Sequence, residues 1–228
     1  MVQISEKLNV SSVTIRSDLD VLARNGFIVR TRGGAVPAVN QRILERQKLF
    51  TEEKNRIAMK AAEIIQDGDQ IMVSAGTTTA FLGKYLLKKQ DLKIVTNSIM
   101  LLQYARINPS LEITLLGGEY RPESEAVVGS ITLRQLEQFH VKIAFLGTDG
   151  FSLETGITAN LVELSEVIKQ MSAKAERNIF LADSSKFGRA GFAHIQPITK
   201  RTEIITDSSL SGDSKALLEE IALSVTVA

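Results

Sequence analysis

Beyond residue 70, short runs of apolar and β-branched residues alternate with amphipathic helical stretches, and this alternation leaves few folds open. Parallel strands need crossovers, and helical crossovers cover both faces of the sheet they join. The strand-like runs are Gln70–Val73, 92–95, 112–116, 142–146, 178–182, 203–206 and Ser224–Val227. Helices are expected over 56–65, 77–87, 99–106, 131–138, 161–176 and 214–222. In the longest, Leu161, Leu164, Ile168, Met171 and Ala175 step by three and four and form one buried stripe. The expectation is an α/β domain with a mostly parallel sheet and flanking helices, over residues 55–228.

The first 35 residues follow another pattern. Ile4 and Leu8 lie one helical turn apart, Asn9-Val10 follows, and Ser11 opens a second helix that carries Ile15, Leu19 and Leu22 on one face. Asn25-Gly26 reads as its C-terminal stop, and Phe27-Ile-Val-Arg30 as a strand that turns at Thr31-Arg-Gly-Gly34. Two helices at a tight turn followed by a hairpin make a helix-turn-helix with a wing, in residues 1–35. Residues 36–54, with Pro37, Asn40 and long polar side chains, read as a partly helical linker. On the second helix Ser11, Ser12, Thr14 and Arg16 offer short hydroxyls and a guanidinium opposite Ile15 and Leu19, which suits close approach to DNA. Arg30 and Arg32 in the wing suit a neighbouring phosphate. The same residues also fit a capped surface helix with solvated charges.

Charge supports the division. The chain of 228 residues carries a net +1, yet residues 1–48 hold eight basic and four acidic side chains, so the remainder is at −3. There is no cysteine, no tryptophan and only His140 and His194, which excludes disulfides, thiolate metal sites and a histidine metal cluster. No cofactor is expected. No window approaches the ~18 apolar residues of a spanning helix, and the N-terminus lacks a signal pattern, so no membrane partner and a cytoplasmic location are expected.

Chemistry in the second domain gathers where loops follow strands. Gly76, Thr77, Thr78 and Thr79 open a helix directly after a strand, an arrangement that favours a phosphate or carboxylate. This is no Walker loop, because Gly83-Lys84 comes seven residues after Gly76 and Tyr85 follows. Asp149 and Gly150 follow one strand run and Lys186 another, and parallel strands set such loops along one edge. There Asp149 suits sugar hydroxyls, Lys186 a phosphate, Arg121 acts as a second cation and Glu163 is a further polar candidate. Taken singly, the loop also fits a threonine-capped turn, and each charge an ordinary surface ion pair.

Ser11-x-x-Thr14-Ile15-Arg16-x-Asp18-Leu19, with Leu22, Gly26, Arg30 and Gly33-Gly34-Ala35, resembles the recognition helix and wing of DeoR-type sugar-operon repressors. The resemblance runs on through Ala75-Gly-Thr-Thr-Thr79, Thr96-Asn97-Ser98, Gly117-Gly118 with Arg121, Gly147-Thr-Asp-Gly150, Gly156-Ile-Thr158 and Asp183-Ser-Ser-Lys-Phe-Gly188. It implies a repressor of a carbohydrate operon that binds operator DNA, forms a homo-oligomer and responds to a phosphorylated sugar or sugar alcohol. The sensor would be similar to sugar-phosphate isomerases of the ribose-5-phosphate and glucosamine-6-phosphate type, and Asn97 joins its binding residues by the same resemblance. Against the family pattern about 20–25 N-terminal residues are lacking, the first helix of the DNA-binding domain. The expectation is that Ile4, Leu8, Leu19 and Leu22 are partly uncovered and operator binding is weak or absent in this chain. The alternative is an isomerase-like enzyme with a vestigial N-terminal segment. Where ribose-phosphate isomerases carry Asp-Gly-Ala-Asp, this chain has Asp149-Gly-Phe-Ser152, so the second carboxylate is lost and the chain is read as no enzyme.

Overall fold

Helix α1 (Val2–Leu8) stops at Asn9, whose φ of 52° is left-handed, a conformation asparagine tolerates. The computed structural model describes residues 2–24, 28–37, 41–222 and 224–228. The chain divides into two units, Met1–Arg46 and Gln47–Ala228. In the first, Ser11 caps α2 (Ser12–Arg24) by accepting from the Thr14 N–H at 3.0 Å. Strands β1 (Ile28–Thr31) and β2 (Gly34–Pro37) pair antiparallel with Thr31 opposite Gly34, leaving Arg32-Gly33 as the hairpin turn. Ile15 is buried and Leu19 half-buried, whereas Ile4, Leu8 and Leu22 are exposed. The helix stop expected at Asn25-Gly26, the strand start at Phe27 and the linker's Asn40 lie outside the described residues.

The stretch read as a linker, 36–54, holds the end of β2, helix α3 (Gln41–Lys48) and the start of α4 (Thr51–Ile64). From there the second unit runs β3 (Gln70–Val73), α5 (Thr77–Tyr85), β4 (Lys93–Thr96), α6 (Ile99–Ala105) and β5 (Glu112–Leu115). A hairpin of β6 (Glu119–Arg121) and β7 (Ala126–Val128) leads to α7 (Ser130–Leu136) and β8 (Val141–Gly147). Then come β9 (Gly150–Ser152), β10 (Gly156–Ala159), α8 (Val162–Ala173), β11 (Ala175–Leu181) and a 3-10 turn, Ser184–Lys186. The chain closes with β12 (Ala193–Gln196), β13 (Thr202–Thr206), α9 (Gly212–Ile221) and β14 (Ser224–Val227).

Among the described residues the main sheet runs β14-β13-β11-β8-β3-β4-β5, with every neighbouring pair parallel. Alternate residues of β8 serve two cores. Ile143 and Phe145 pack with Ile57, Leu82 and Leu101 of the α4, α5 and α6 face, while Ala144 and Leu146 join Val167 and Ile168 of α8 on the other. Burial on both faces is why the strand runs are continuously apolar. The chain leaves β3 through β4 and β5 on one side and returns to its other side for β8. At such a reversal the loops beyond the strand ends part and leave a crevice.

Three features correct the sequence reading. The hairpin β6–β7 and the antiparallel sheet β12-β10-β9 were not anticipated, since these strands of three or four residues are not flanked by the helical crossovers that mark the strands of the main sheet. Helix α4 starts five residues ahead of 56. Helix α8 ends at Ala173, and Ala175, placed by its spacing on the helical stripe, instead begins β11 opposite Val141. Parallel pairing with β8 overrides the local helical period there.

Candidate DNA-contact and effector-binding sites

The loop after β3 sits at that reversal. Ser74 Oγ accepts from the Gly147 N–H at 2.9 Å, joining the C-terminal ends of β3 and β8. Gly76 is needed for close approach, since a Cβ there would lie 2.9 Å from Thr79 Oγ1. The Thr79 hydroxyl donates to the carbonyls of Ser74 (2.7 Å) and Gly76 (3.1 Å), so it holds the loop and is not offered to a ligand. Thr77 and Thr78 are buried, and their hydroxyls make no hydrogen bond among the described residues. The first N–H groups of α5 have no carbonyl one turn back. The loop therefore presents main-chain and side-chain donors together at a positive helix end.

Asn97, one of the sequence candidates, is a strut. Fully buried, it accepts from the Ala75 N–H at 2.8 Å and donates to the Val127 carbonyl at 3.0 Å, which ties the loop after β3 to β7. Asp149 follows β8 half-buried and accepts from the Asn160 N–H at 2.9 Å. Gly150 serves packing, because a Cβ there would lie 2.4 Å from the Arg189 carbonyl oxygen. That contact draws the segment after Lys186 against β9. Lys186 ends the 3-10 turn half-buried, and no ion pair joins its ammonium to a carboxylate among the described residues. Arg121 and Glu163, far apart in sequence, meet: Arg121 Nη2 lies 2.8 Å from Glu163 Oε1 and 3.1 Å from Glu119 Oε2. The Glu163 hydrogen bond holds the guanidinium above its ordinary pKa, and the Arg121 hydrogen bond holds the Glu163 carboxyl below its own.

Sequence reasoning did not single out the carboxylates behind Lys186. Asp207, fully buried after β13, accepts from the Ser184 N–H (2.6 Å) and hydroxyl (3.0 Å) and from the Ser209 N–H (3.0 Å). Burial pushes this carboxyl up, but the bonds from Ser184 and Ser209 outweigh it and the pKa lies below the ordinary value. Asp183, buried after β11, accepts from the Ser185 hydroxyl through Oδ1, while Oδ2 has no hydrogen-bond partner among the described residues. Each aspartate lies within two residues of the end of a parallel strand, and that position was the legible signal.

In the first unit Ser12, Val13, Thr14 and Arg16 of α2 are exposed and Ile15 is buried, and Arg32 is exposed at the hairpin turn. Ser11 Oγ also lies 2.8 Å from Thr14 Oγ1, so these hydroxyls engage each other. Arg30 is used internally: it pairs with Asp20 at 3.0 Å and donates to the Arg16 carbonyl at 3.4 Å, fastening the hairpin to α2.

The pattern of the DeoR C-terminal sensor domain matches residues 49–208, and that of the DeoR-like helix-turn-helix domain residues 1–41. The chain belongs to the DeoR family. It is 38% identical over 209 residues to the HTH-type transcriptional repressor GlcR of Bacillus subtilis, covering 90% of this chain and 80% of GlcR. It is 32% identical over 211 residues to the glycerol-3-phosphate regulon repressor of Escherichia coli K12, covering 90% and 83%. Identity to the putative aga operon transcriptional repressor of Escherichia coli O157:H7 is 30% over 228 residues, covering 97% and 85%. Among solved structures, ribose 5-phosphate isomerase from Plasmodium falciparum aligns at 20% identity with a TM-score of 0.43, over 61% of this chain and 54% of that one. The DeoR chain thus spans about half the length of that isomerase. DeoR membership places transcriptional regulation, a DNA-binding helix-turn-helix and a sensor domain on the two units described above.

Proposed function

We propose that this DeoR protein represses a carbohydrate-utilisation operon and that a phosphorylated sugar or sugar alcohol, held in the crevice between β3 and β8, lowers its affinity for operator DNA. The observation that carries the reading is the set of unengaged donors on one strand edge: the first turn of α5, the Thr77 and Thr78 hydroxyls, and Lys186. An anion at a helix N-terminus beside an ammonium is charge-matched. Gly76 permits the close approach, Asp149 accepts sugar hydroxyls, and Arg121 pairs with Glu163 in the first turn of α8. Ser11, Ser12, Thr14, Arg16 and Arg32 are the DNA-facing set, with Arg30 as the brace of the wing. We place the DNA-binding domain in residues 1–35, a partly helical connector in 36–54 and the sensor in 55–228, and expect the active species to be a homo-oligomer in the cytoplasm.

Sensing is favoured over isomerisation by what stands at the second carboxylate position. Ser152 Oγ lies 2.7 Å from Thr155 Oγ1 and accepts from the Thr155 N–H, so it closes a turn and supplies no base. The test is a thermal-shift screen of sugar phosphates, then titration of operator DNA from upstream of neighbouring genes. A ligand at 100 times its Kd stabilises by about 2.7 kcal/mol. The reading fails if no phosphorylated sugar shifts the melting point, or if one does so and leaves DNA affinity unchanged.

A further inference from the structure

The segment from residue 41 to residue 64 contains no glycine and no proline, yet it is broken into two helices. The break falls at Phe50, which holds φ 55° and ψ 40°. A bulky residue in the left-handed region is out of place unless its surroundings hold it there. Those surroundings are specific. Lys54, 3% exposed, donates from Nζ to the Leu49 carbonyl at 2.7 Å. The Thr51 hydroxyl donates to the carbonyls of Gln47 and Lys48, both at 2.9 Å. Asn55 Nδ2 donates to the Thr51 carbonyl at 2.8 Å.

Asn55 has a second set of partners. Its Oδ1 accepts from Lys84 Nζ at 3.2 Å and from the Tyr85 hydroxyl at 3.4 Å, the last two residues of α5. The other end of α5 is the crevice loop, anchored by the Thr79 hydroxyl on Ser74 and Gly76. Between the ends the helix is continuous and buried from Thr77 to Gly83, so a displacement at one end is carried to the other. Such a rod runs from the crevice to a strained corner, and the corner lies three residues past the start of the second unit at Gln47.

We propose that the Phe50 corner couples the crevice to the segment leading to the DNA-binding unit, with Asn55 as the positioning residue. An anion seated at the first turn of α5 shifts that helix, Lys84 and Tyr85 withdraw from Asn55, and Phe50 relaxes to right-handed backbone so that α3 and α4 run on as one helix. This rests on the crevice being the effector site. The element with two arrangements is the corner, which is the physical requirement for coupling between distant sites.

The absence of native cysteine makes the test direct. Lys48→Cys and Glu63→Cys, both at exposed positions, carry spin labels across the corner. A continuous helix separates their Cα atoms by about 22 Å, at about 1.5 Å per residue, and the left-handed backbone at Phe50 takes the pair away from that value. The labelled parent should give one distance, distinct from the helical one. Asn55→Ala should add a population near the helical value, and so should Thr79→Val, which touches nothing at the corner; Thr79→Ser should restore the parent distribution. Phe50→Gly, tolerant of left-handed backbone, should return Asn55→Ala to the parent distance. A parent-like distribution in folded Asn55→Ala or Thr79→Val overturns the proposal. No ligand is added, so this outcome is separate from a sugar-phosphate screen that finds no binder.

Discussion

Burial would raise the Asp207 carboxyl, and the donors of Ser184 and Ser209 reverse that. The folded protein therefore binds this proton less readily than the unfolded chain. The stabilisation is complete above about pH 4, the ordinary carboxylate range, and is lost as pH falls through the lower folded value. Asp207→Asn should cost about 1.5–3 kcal/mol at pH 7, the worth of hydrogen bonds to a charged group, and the gap from the parent should narrow in acid. Urea unfolding followed by circular dichroism at pH 7 and pH 3 measures both. Lys186→Ala should weaken effector binding at least tenfold with the melting point unchanged; unchanged affinity by calorimetry removes Lys186 from the site. The places of Lys186 and Asp149 on the sheet edge, though not their roles, were legible because each follows a strand of the parallel sheet. The roles of Asn97 and Arg30 were not, because their partners Val127 and Asp20 come from chain folding and leave no local spacing to read.

At the level of elements, α2 stands on its cap. Ser11→Ala removes the acceptor for the Thr14 N–H and should destabilise the first unit by about 1 kcal/mol. Chemical denaturation followed at the amides of α2 by NMR checks it. The hairpin β6–β7 hangs on Gly118, at φ 147°, where a Cβ would lie 2.2 Å from Thr132 Oγ1 and 2.5 Å from the Val128 carbonyl oxygen. Gly118→Ala must push the hairpin off α7, and a loss of about 1–3 kcal/mol is expected from such a steric change. Strands β3 and β14 match the sequence reading residue for residue: Ile71-Met-Val73 is a fully buried apolar run, and the alternation Ser-Val-Thr-Val of the edge strand β14 has period two. The short strands β6, β7, β9, β10 and β12 escaped because antiparallel pairing, in two local hairpins and one long-range pair, and not composition makes them strands.

The whole molecule joins a basic first segment to an acidic remainder. If the two units act as proposed, linkage requires reciprocity: a sugar phosphate that weakens operator binding by about 5- to 150-fold must itself bind more weakly to the operator complex by the same factor. Calorimetry of the free protein and of the protein on DNA measures the two factors, and unequal values would exclude the coupled scheme. Operator affinity should fall steeply with salt, and Arg32→Ala should reduce the logarithmic salt slope by about 1. The bond from Gly147 to Ser74 Oγ also sets an order of events during synthesis. Residues 1–46 leave the ribosome first, whereas the crevice draws on Ser74, Asp149 and Lys186 together and cannot exist until β8 and β11 have joined β3. At about 5–20 residues per second, roughly 7–28 s separate the two. For that interval a newborn chain has its helix-turn-helix segment and no crevice in which the proposed effector could lodge.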